Sequence, residues 1–240
     1  MKAFYAPFAP SGSLVFDIGA HVGDRVRAFR ALGAEVVAVE PQPAPFRCLK
    51  WLFGLSQRVH LVNAAVSDNA GKITLNINLR NPTVSTASTA FVAAADGAQG
   101  WAGQRWEETC TVPATTLDAL IARFGMPAFI KIDVEGYEDA ALAGLSQPVA
   151  ALSFEFTTIQ RALAFRCIDR LQSLGDYRYN VSLGESFAME YERWLSAEDV
   201  ARRVAALPRA HRPSRPARSR RSRARRRTPT GGRSARRAAR

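Results

Sequence analysis

The sequence contains no apolar run approaching the roughly 18 residues that a membrane-spanning helix needs, so a membrane-spanning reading is disfavoured at once. Its opening stretch, MKAFYAPFAPSGS, carries one lysine and prolines at positions 7 and 10. The continuous apolar segment of a secretory signal is missing there. Cysteine is scarce. Cys48, Cys110 and Cys167 stand about 60 residues apart, which is neither zinc-ligand spacing nor a disulfide framework. That usage suits a reducing compartment and predicts a cytoplasmic location. What remains is a chain of 240 residues, 47% apolar, long enough for one α/β domain of about 200 residues and a tail.

Lysine and acid are both absent from Arg202 to Arg240, where 16 arginines fall. The formal charge of +12 therefore divides unevenly. Before Arg202, 17 basic residues face all 21 acids, a net charge of −4. A body with no basic surplus gives no support for phosphate neutralisation, the main source of affinity for nucleic acid. The tail, RAHRPSRPARSRRSRARRRTPTGGRSARRAAR, has almost no large apolar side chain. Such a segment buries too little to offset its ordering entropy. We expect a domain over residues 1–208 and a disordered basic tail over 209–240. The tail is either an electrostatic arm for an anionic partner or dispensable.

Along the body, short apolar runs alternate with helical periodicity. LVFDIG (14–19), EVVAVE (35–40), VHLVNAAV (59–66), FIKID (129–133) and ALSFEF (151–156) read as buried strands. KITLNINL (72–79) alternates like an edge strand, and 110–112 reads as a short one. Helices are expected over 23–32, 43–54, 115–124, 137–145, 159–174 and 196–207, the last opened by a serine cap. Residues 80–109 read as a loop or short elements over the site, and 177–183 with 187–192 as a closing strand pair. This order predicts a mostly parallel sheet, whose ligands bind beyond the carboxyl ends of the strands.

The chemistry-bearing residues stand at those ends. The first strand runs out through Asp17, Gly19, Ala20, His21 and Gly23. Gly19 permits a tight turn, and Gly23 lets the next helix pack closely. His21 occupies the place where a dinucleotide fingerprint needs glycine. Glu40, followed by Pro41, lies 21 residues beyond Gly19, the separation at which an acid reaches a ribose diol. Asp17, Gly19, Gly23 and Glu40 together suggest an adenosine cofactor without phosphates, namely S-adenosylmethionine. The alternative is a plain turn with Glu40 as a helix cap. Ser67 and Asp68 follow the third run and would lie near an adenine, or simply form a turn. Lys131, Asp133 and Glu135 close the strand FIKID, with Lys131 and Asp133 on one side. Charges at the end of an apolar strand need a task or a partner. Glu155, inside LSFEF, is a further acid of that kind.

DIGAHVGD, VVAVEPQP, NAAVSDNAG, TTLDAL, FIKIDVEGYEDAALAG and LSFEF resemble, in this order, the FkbM-type methyltransferases across roughly residues 14–160. The resemblance implies a class I methyltransferase fold: a Rossmann-like α/β sheet of seven strands, one edge strand reversed, with helices on both faces. It implies S-adenosylmethionine as cofactor, held by Asp17, Gly19, Gly23 and Glu40, and a saccharide or natural-product hydroxyl as methyl acceptor. It places Asp133 and Glu135 near the reacting centre.

A hydroxyl attacking a methyl group must shed its proton to a positioned base, or lose it under the influence of a divalent metal. Asp133 and Glu135 are the candidates for either role, and Glu155 for orienting the acceptor. His60 reads as a structural histidine. Two other classes stand beside this one: a nicotinamide-dependent oxidoreductase on a similar sheet, and a non-enzymatic protein that binds nucleic acid or an acidic partner through its tail.

Overall fold

The computed structural model describes residues 1–208. The Arg-rich tail lies outside the described residues, and with it the expectation of disorder. Eight helices and eight strands follow one another: α1 (Lys2–Tyr5), β1 (Leu14–Ile18), α2 (Asp24–Ala31), β2 (Glu35–Val39), α3 (Pro43–Phe53), β3 (Val59–Val62), β4 (Ala65–Val66), β5 (Gly71–Ile77), α4 (Thr89–Ala95), β6 (Glu108–Thr115), α5 (Leu117–Phe124), β7 (Phe129–Ile132), α6 (Glu138–Ala143), β8 (Leu152–Phe154), α7 (Arg161–Leu174) and α8 (Ala197–Ala206).

The main sheet has five strands in the order β3-β2-β1-β7-β8, all parallel. Its order reverses between β1 and β7, where Asp17 stands beside Lys131 in register. Alternation decides which side chains meet which helices. Phe16, Ile18, Ile130 and Ile132 point into a core completed by α5, α6, α7 and α8. Val15, Val36, Ala38 and Phe129 point the other way, against Val26 and Phe29 of α2, Leu49 and Phe53 of α3, and Tyr5 of α1. Continuous apolar strands are what burial on both faces demands.

Three expectations are corrected. The expected third strand, 59–66, splits: β3 ends at Val62, and β4 joins a second sheet in the order β4-β6-β5. There β4 is parallel and β5 antiparallel to β6. Second, β6 runs from Glu108 through Pro113 to Thr115. Proline argues against a central strand. It is tolerated because β4 pairs β6 only from Ala114, so Pro113 has β5 alone beside it. Third, the sheet of seven strands is not formed among the described residues. Segments 177–183 and 187–192 lie side by side, but the Asn180 side chain takes the place of a ladder partner. It donates to Tyr191 O at 2.7 Å and accepts from Tyr191 N at 3.1 Å. One backbone bond, Glu190 N to Val181 O at 2.8 Å, remains of the pairing, and Tyr179 bridges instead to Leu195. Side-chain amides compete with ladders in this way.

Two glycines set the turn after β1. Gly23 caps α2 at φ 89°, and a Cβ there would lie 2.5 Å from the Phe53 ring and 2.9 Å from Leu49. Gly19, at φ 78°, is tighter still, because a Cβ would lie 1.8 Å from the backbone oxygen of Asp133. The glycine thus lets the β1 and β7 ends close on each other. Gly19→Ala is expected to lose about 3 kcal/mol or more of stability, from the left-handed backbone and overpacking together. Chemical denaturation measures it, and a loss below 1 kcal/mol contradicts this role.

Candidate active site

The carboxyl ends of β1, β2, β7 and β8 open into a cavity of about 1400 Å³. Gly19, Ala20, His21, Glu40 and Pro41 form one side, and Lys131, Asp133, Glu135 and Glu155 another. The structure therefore gathers most of the residues singled out in the sequence. Asp17 and Gly23 lie beneath the lining. Ser67 and Asp68 also do not line it. Because β3 ends at Val62, it is Ala64, Ala65 and Val66 that face the cavity instead. Ser67 is buried and donates to Asp68 at 2.8 Å, with its oxygen 3.2 Å from the Tyr137 hydroxyl.

Glu40 is almost fully buried, with 2% of its surface exposed. Its Oε2 accepts from His21 N and its Oε1 from Gln42 N, each at 2.8 Å. Burial pushes the carboxyl up to about 7, against the opposing influence of those two amides. Each oxygen keeps a further lone pair. His21 stands at φ 47°, and burial lowers its pKa, so the imidazole is neutral at pH 7.

Lys131 sits between two acids. Its Nζ is 3.4 Å from Asp17 Oδ1 and 2.9 Å from Asp133 Oδ2. Burial opposes its charge, but Asp133 and Asp17 outweigh burial and hold it protonated. Asp17 has no exposed surface and neither of its oxygens has a hydrogen-bond partner among the described residues. Burial raises its pKa more than Lys131 lowers it. Burial would also raise Asp133, yet the Lys131 ammonium and a hydrogen bond with Glu155 keep it well below the usual carboxylate range. The charge on Asp133 in turn drives Glu155 well above its ordinary value. Asp133 and Glu155 thus form an interacting carboxyl pair in which Asp133 gives up its proton more readily than Glu155. Glu155 is open to the cavity, and Glu135 stands close enough to add to its shift.

Sequence reasoning missed Glu138. It is 1% exposed, and its carboxylate accepts from Val134 N at 3.0 Å and Gly136 N at 3.0 Å. Those two bonds fix the turn that carries Glu135 at φ 54° and Gly136 at φ 85°. Burial pushes Glu138 up to about 8. The available signal was its place, three residues after Glu135 in the first turn of α6. His60 has a structural partner, its Nε2 lying 2.5 Å from Glu35 Oε1. Among the described residues no three His, Cys, Asp or Glu side chains are grouped so as to hold a metal ion.

A parallel α/β sheet with its cavity at the point where strand order reverses is a Rossmann-like cofactor domain. The chain belongs to the FkbM methyltransferase family: the profile of the methyltransferase FkbM domain matches residues 17–180. Membership implies S-adenosylmethionine as the methyl donor and sets aside the nicotinamide reading. Among solved structures, the chain is similar to the C-terminal domain of precorrin-6Y C5,15-methyltransferase from Rhodobacter capsulatus. The identity is 13%, with a TM-score of 0.42, covering 80% of this chain and 82% of that one. No curated protein is a match. No helix among the described residues is long and apolar enough to cross a membrane.

Removing the Glu138 carboxylate leaves two inward-facing amides without a partner. Glu138→Ala is expected to lose about 2–4 kcal/mol of stability. Glu138→Gln, which keeps an acceptor oxygen, loses less than half of that. Equal losses in the two, measured by urea unfolding, remove Glu138 as the support of this turn.

Proposed function

We propose that the protein methylates a hydroxyl of a small acceptor, a saccharide or natural product, with S-adenosylmethionine as donor and Glu155 as general base. The observation that carries it is the row Lys131–Asp133–Glu155 at the wall of the cavity that Glu40 also lines.

The residues present fit the cofactor. Glu40 faces the cavity with lone pairs left for a ribose diol, and the Gly19–Gly23 turn gives close approach to the backbone. Ala20, His21 and Pro41 complete that wall, and Asp17 supports it from below. Bound there, the cofactor supplies an activated methyl group on a sulfonium. The chain's own contribution is to position the acceptor, exclude water and accept a proton. A base works best when its pKa lies near the working pH. Asp133, locked in its pair with Lys131, is too weak a base. Glu155 is raised by the Asp133 charge and takes the hydroxyl proton on a carboxylate oxygen as the new oxygen–carbon bond forms. Sequence reasoning placed the base on Asp133 or Glu135 and gave Glu155 only the orienting role. The electrostatics favour the exchange. Glu135 then orients the acceptor.

Two outcomes follow for solution work. The carboxylate form of Glu40 accepts both ribose hydroxyls, so S-adenosylhomocysteine affinity rises with pH through about 7. Glu40→Ala loses at least tenfold in affinity, about 1.4 kcal/mol. Glu40→Gln flattens the pH dependence. Titration calorimetry between pH 6 and 8 reads all three, and an unaltered affinity in Glu40→Ala removes the ribose assignment. For turnover, activity climbs as Glu155 loses its proton. Asp133 raises the Glu155 pKa, so Asp133→Asn lowers it and moves the rising limb of the kcat/KM profile to lower pH. An unmoved limb would falsify Glu155 as the base.

A further inference from the structure

Helix α3 buries one face and leaves another bare. Leu49 and Phe53 face the sheet beside Val26 and Phe29 of α2. On the outer side Cys48, Trp51 and Leu52 fall at i, i+3 and i+4 and are all exposed, and exposed Leu55 follows at i+7 in the next turn. That spacing is the one that lines up a single stripe along a helix. Trp51 is 84% exposed, and Leu55 is wholly so. The other tryptophans are used by the fold or the site: Trp101 is buried, Trp106 packs on Phe91, and Trp194 lines the cavity. Basic residues flank the stripe. Arg47, Lys50 and Arg58 are exposed, and α3 carries no acid. Helix α2, in the same layer, exposes Arg27 and Arg30. The exposed acids of residues 24–58 are engaged elsewhere, Asp24 in lining the cavity and Glu35 with His60.

We propose that the outer face of α3 docks the protein on an anionic lipid surface. Trp51, Leu52 and Leu55 enter the boundary of the acyl chains, and Arg47, Lys50 and Arg58 keep their charges at the headgroups. A protein partner is a poorer match. Lysine is depleted from protein interfaces, and this stripe falls far short of the about 20–30 residues a side that a stable one uses. Leu55 has no neighbour beside it to wall a pocket, and a fluid surface needs none. Nucleic acid would meet the basic residues but leave the leucines in water. Helix α3 starts beside Glu40 and Pro41 at the cavity, and its 11 residues carry the chain to the other end of the sheet, where β3 begins. At about 1.5 Å per residue the apolar end is thus well away from the cavity, which stays open when the face is docked. The Arg-rich tail would be drawn to the same surface by charge alone, since residues 209–240 carry no large apolar side chain to insert.

The test therefore reads insertion as well as binding. The full chain is mixed with vesicles of phosphatidylcholine and phosphatidylserine whose brominated acyl chains quench tryptophan only within the bilayer. Wild type is expected to bind these about tenfold or more tightly than phosphatidylcholine alone, and its tryptophan fluorescence falls on binding. Trp51→Phe, which keeps an apolar ring, still binds but is no longer quenched. Trp51→Ser combined with Leu55→Ser loses about tenfold or more in vesicle affinity. Its urea midpoint stays unchanged, as at other exposed positions. Arg47→Gln combined with Lys50→Gln lowers both the affinity and its dependence on salt. Binding without quenching overturns the proposal, because the tail then makes the contact. Quenching that survives in Trp51→Phe overturns it by placing another tryptophan in the bilayer. A wild-type dimer in sedimentation that the double serine variant dissociates assigns the face to a second copy instead. Failure of wild type to bind the anionic vesicles also overturns it.

Discussion

The ammonium of Lys131 is the group on which the rest of the site depends. It lies at the strand-order reversal, beside Asp17 in register and one turn of alternation from Asp133. Three ionisable groups in an apolar sheet are tolerable only if their charges cancel. Burial raises the Asp17 pKa while Lys131 holds that of Asp133 down, so Lys131 and Asp133 are the closer pair of the three. That distribution keeps Asp133 ionised at the cavity wall, and the Asp133 charge sets the affinity of Glu155 for its proton. The proton affinity of Glu155, the base we propose, therefore traces through Asp133 to Lys131.

Geometry around this trio is held by backbone contacts. Gly19 and the Asp133 carbonyl are close enough that no side chain fits between them. Asp133 N donates to Ile18 O at 3.0 Å, and Gly19 N and Ala20 N donate to Val39 O at 2.9 and 3.0 Å. The ends of β1, β2 and β7 are thus sewn together just below the cavity. On the far side, Gly136 allows no side chain because Phe91 of α4 packs against it. Phe91, Trp101 and Trp106 stack edge to face within residues 80–109, with ring centres 5.1 and 6.0 Å apart. That segment is a small apolar cluster pressed on the turn carrying Glu135, which is why its residue pattern has no clear period.

The main sheet was legible because its strands are short apolar runs ending in acid or glycine, and burial on both faces leaves no other composition. The cavity wall was legible for the same reason: Gly19, Glu40, Asp133 and Glu155 stand at the ends of those runs. What escaped was decided by side chains acting on distant backbone. Asn180 satisfies the backbone of Tyr191 with its amide, so a stretch with strand composition does not pair as one. Glu138 looks like an ordinary first-turn acid, and only the fold brings Val134 and Gly136 amides onto it. Helix α1, four residues among prolines, owes its place to Tyr5 packing on Phe29 and Phe129, which no local pattern announces. The break after Val62 was hidden because VHLVNAAV stays apolar while it passes from one sheet to the other.

Charge explains why this cavity suits a sulfonium rather than a dinucleotide. Seven acids line it, Asp24, Glu40, Asp133, Glu135, Glu155, Asp176 and Glu185, against three cations, Arg25, Lys131 and Arg178. A diphosphate would have to lie among those carboxylates, with one lysine bound to aspartates and one arginine paired to its neighbour. A sulfonium gains from the same wall, since a positive centre is stabilised by nearby carboxylates in a site screened from water. Transfer of the methyl group dissipates that positive charge, so the product is held less firmly than the donor by the electrostatics that drew the donor in. An acid-rich cavity therefore favours both capture of the cofactor and departure of what remains of it.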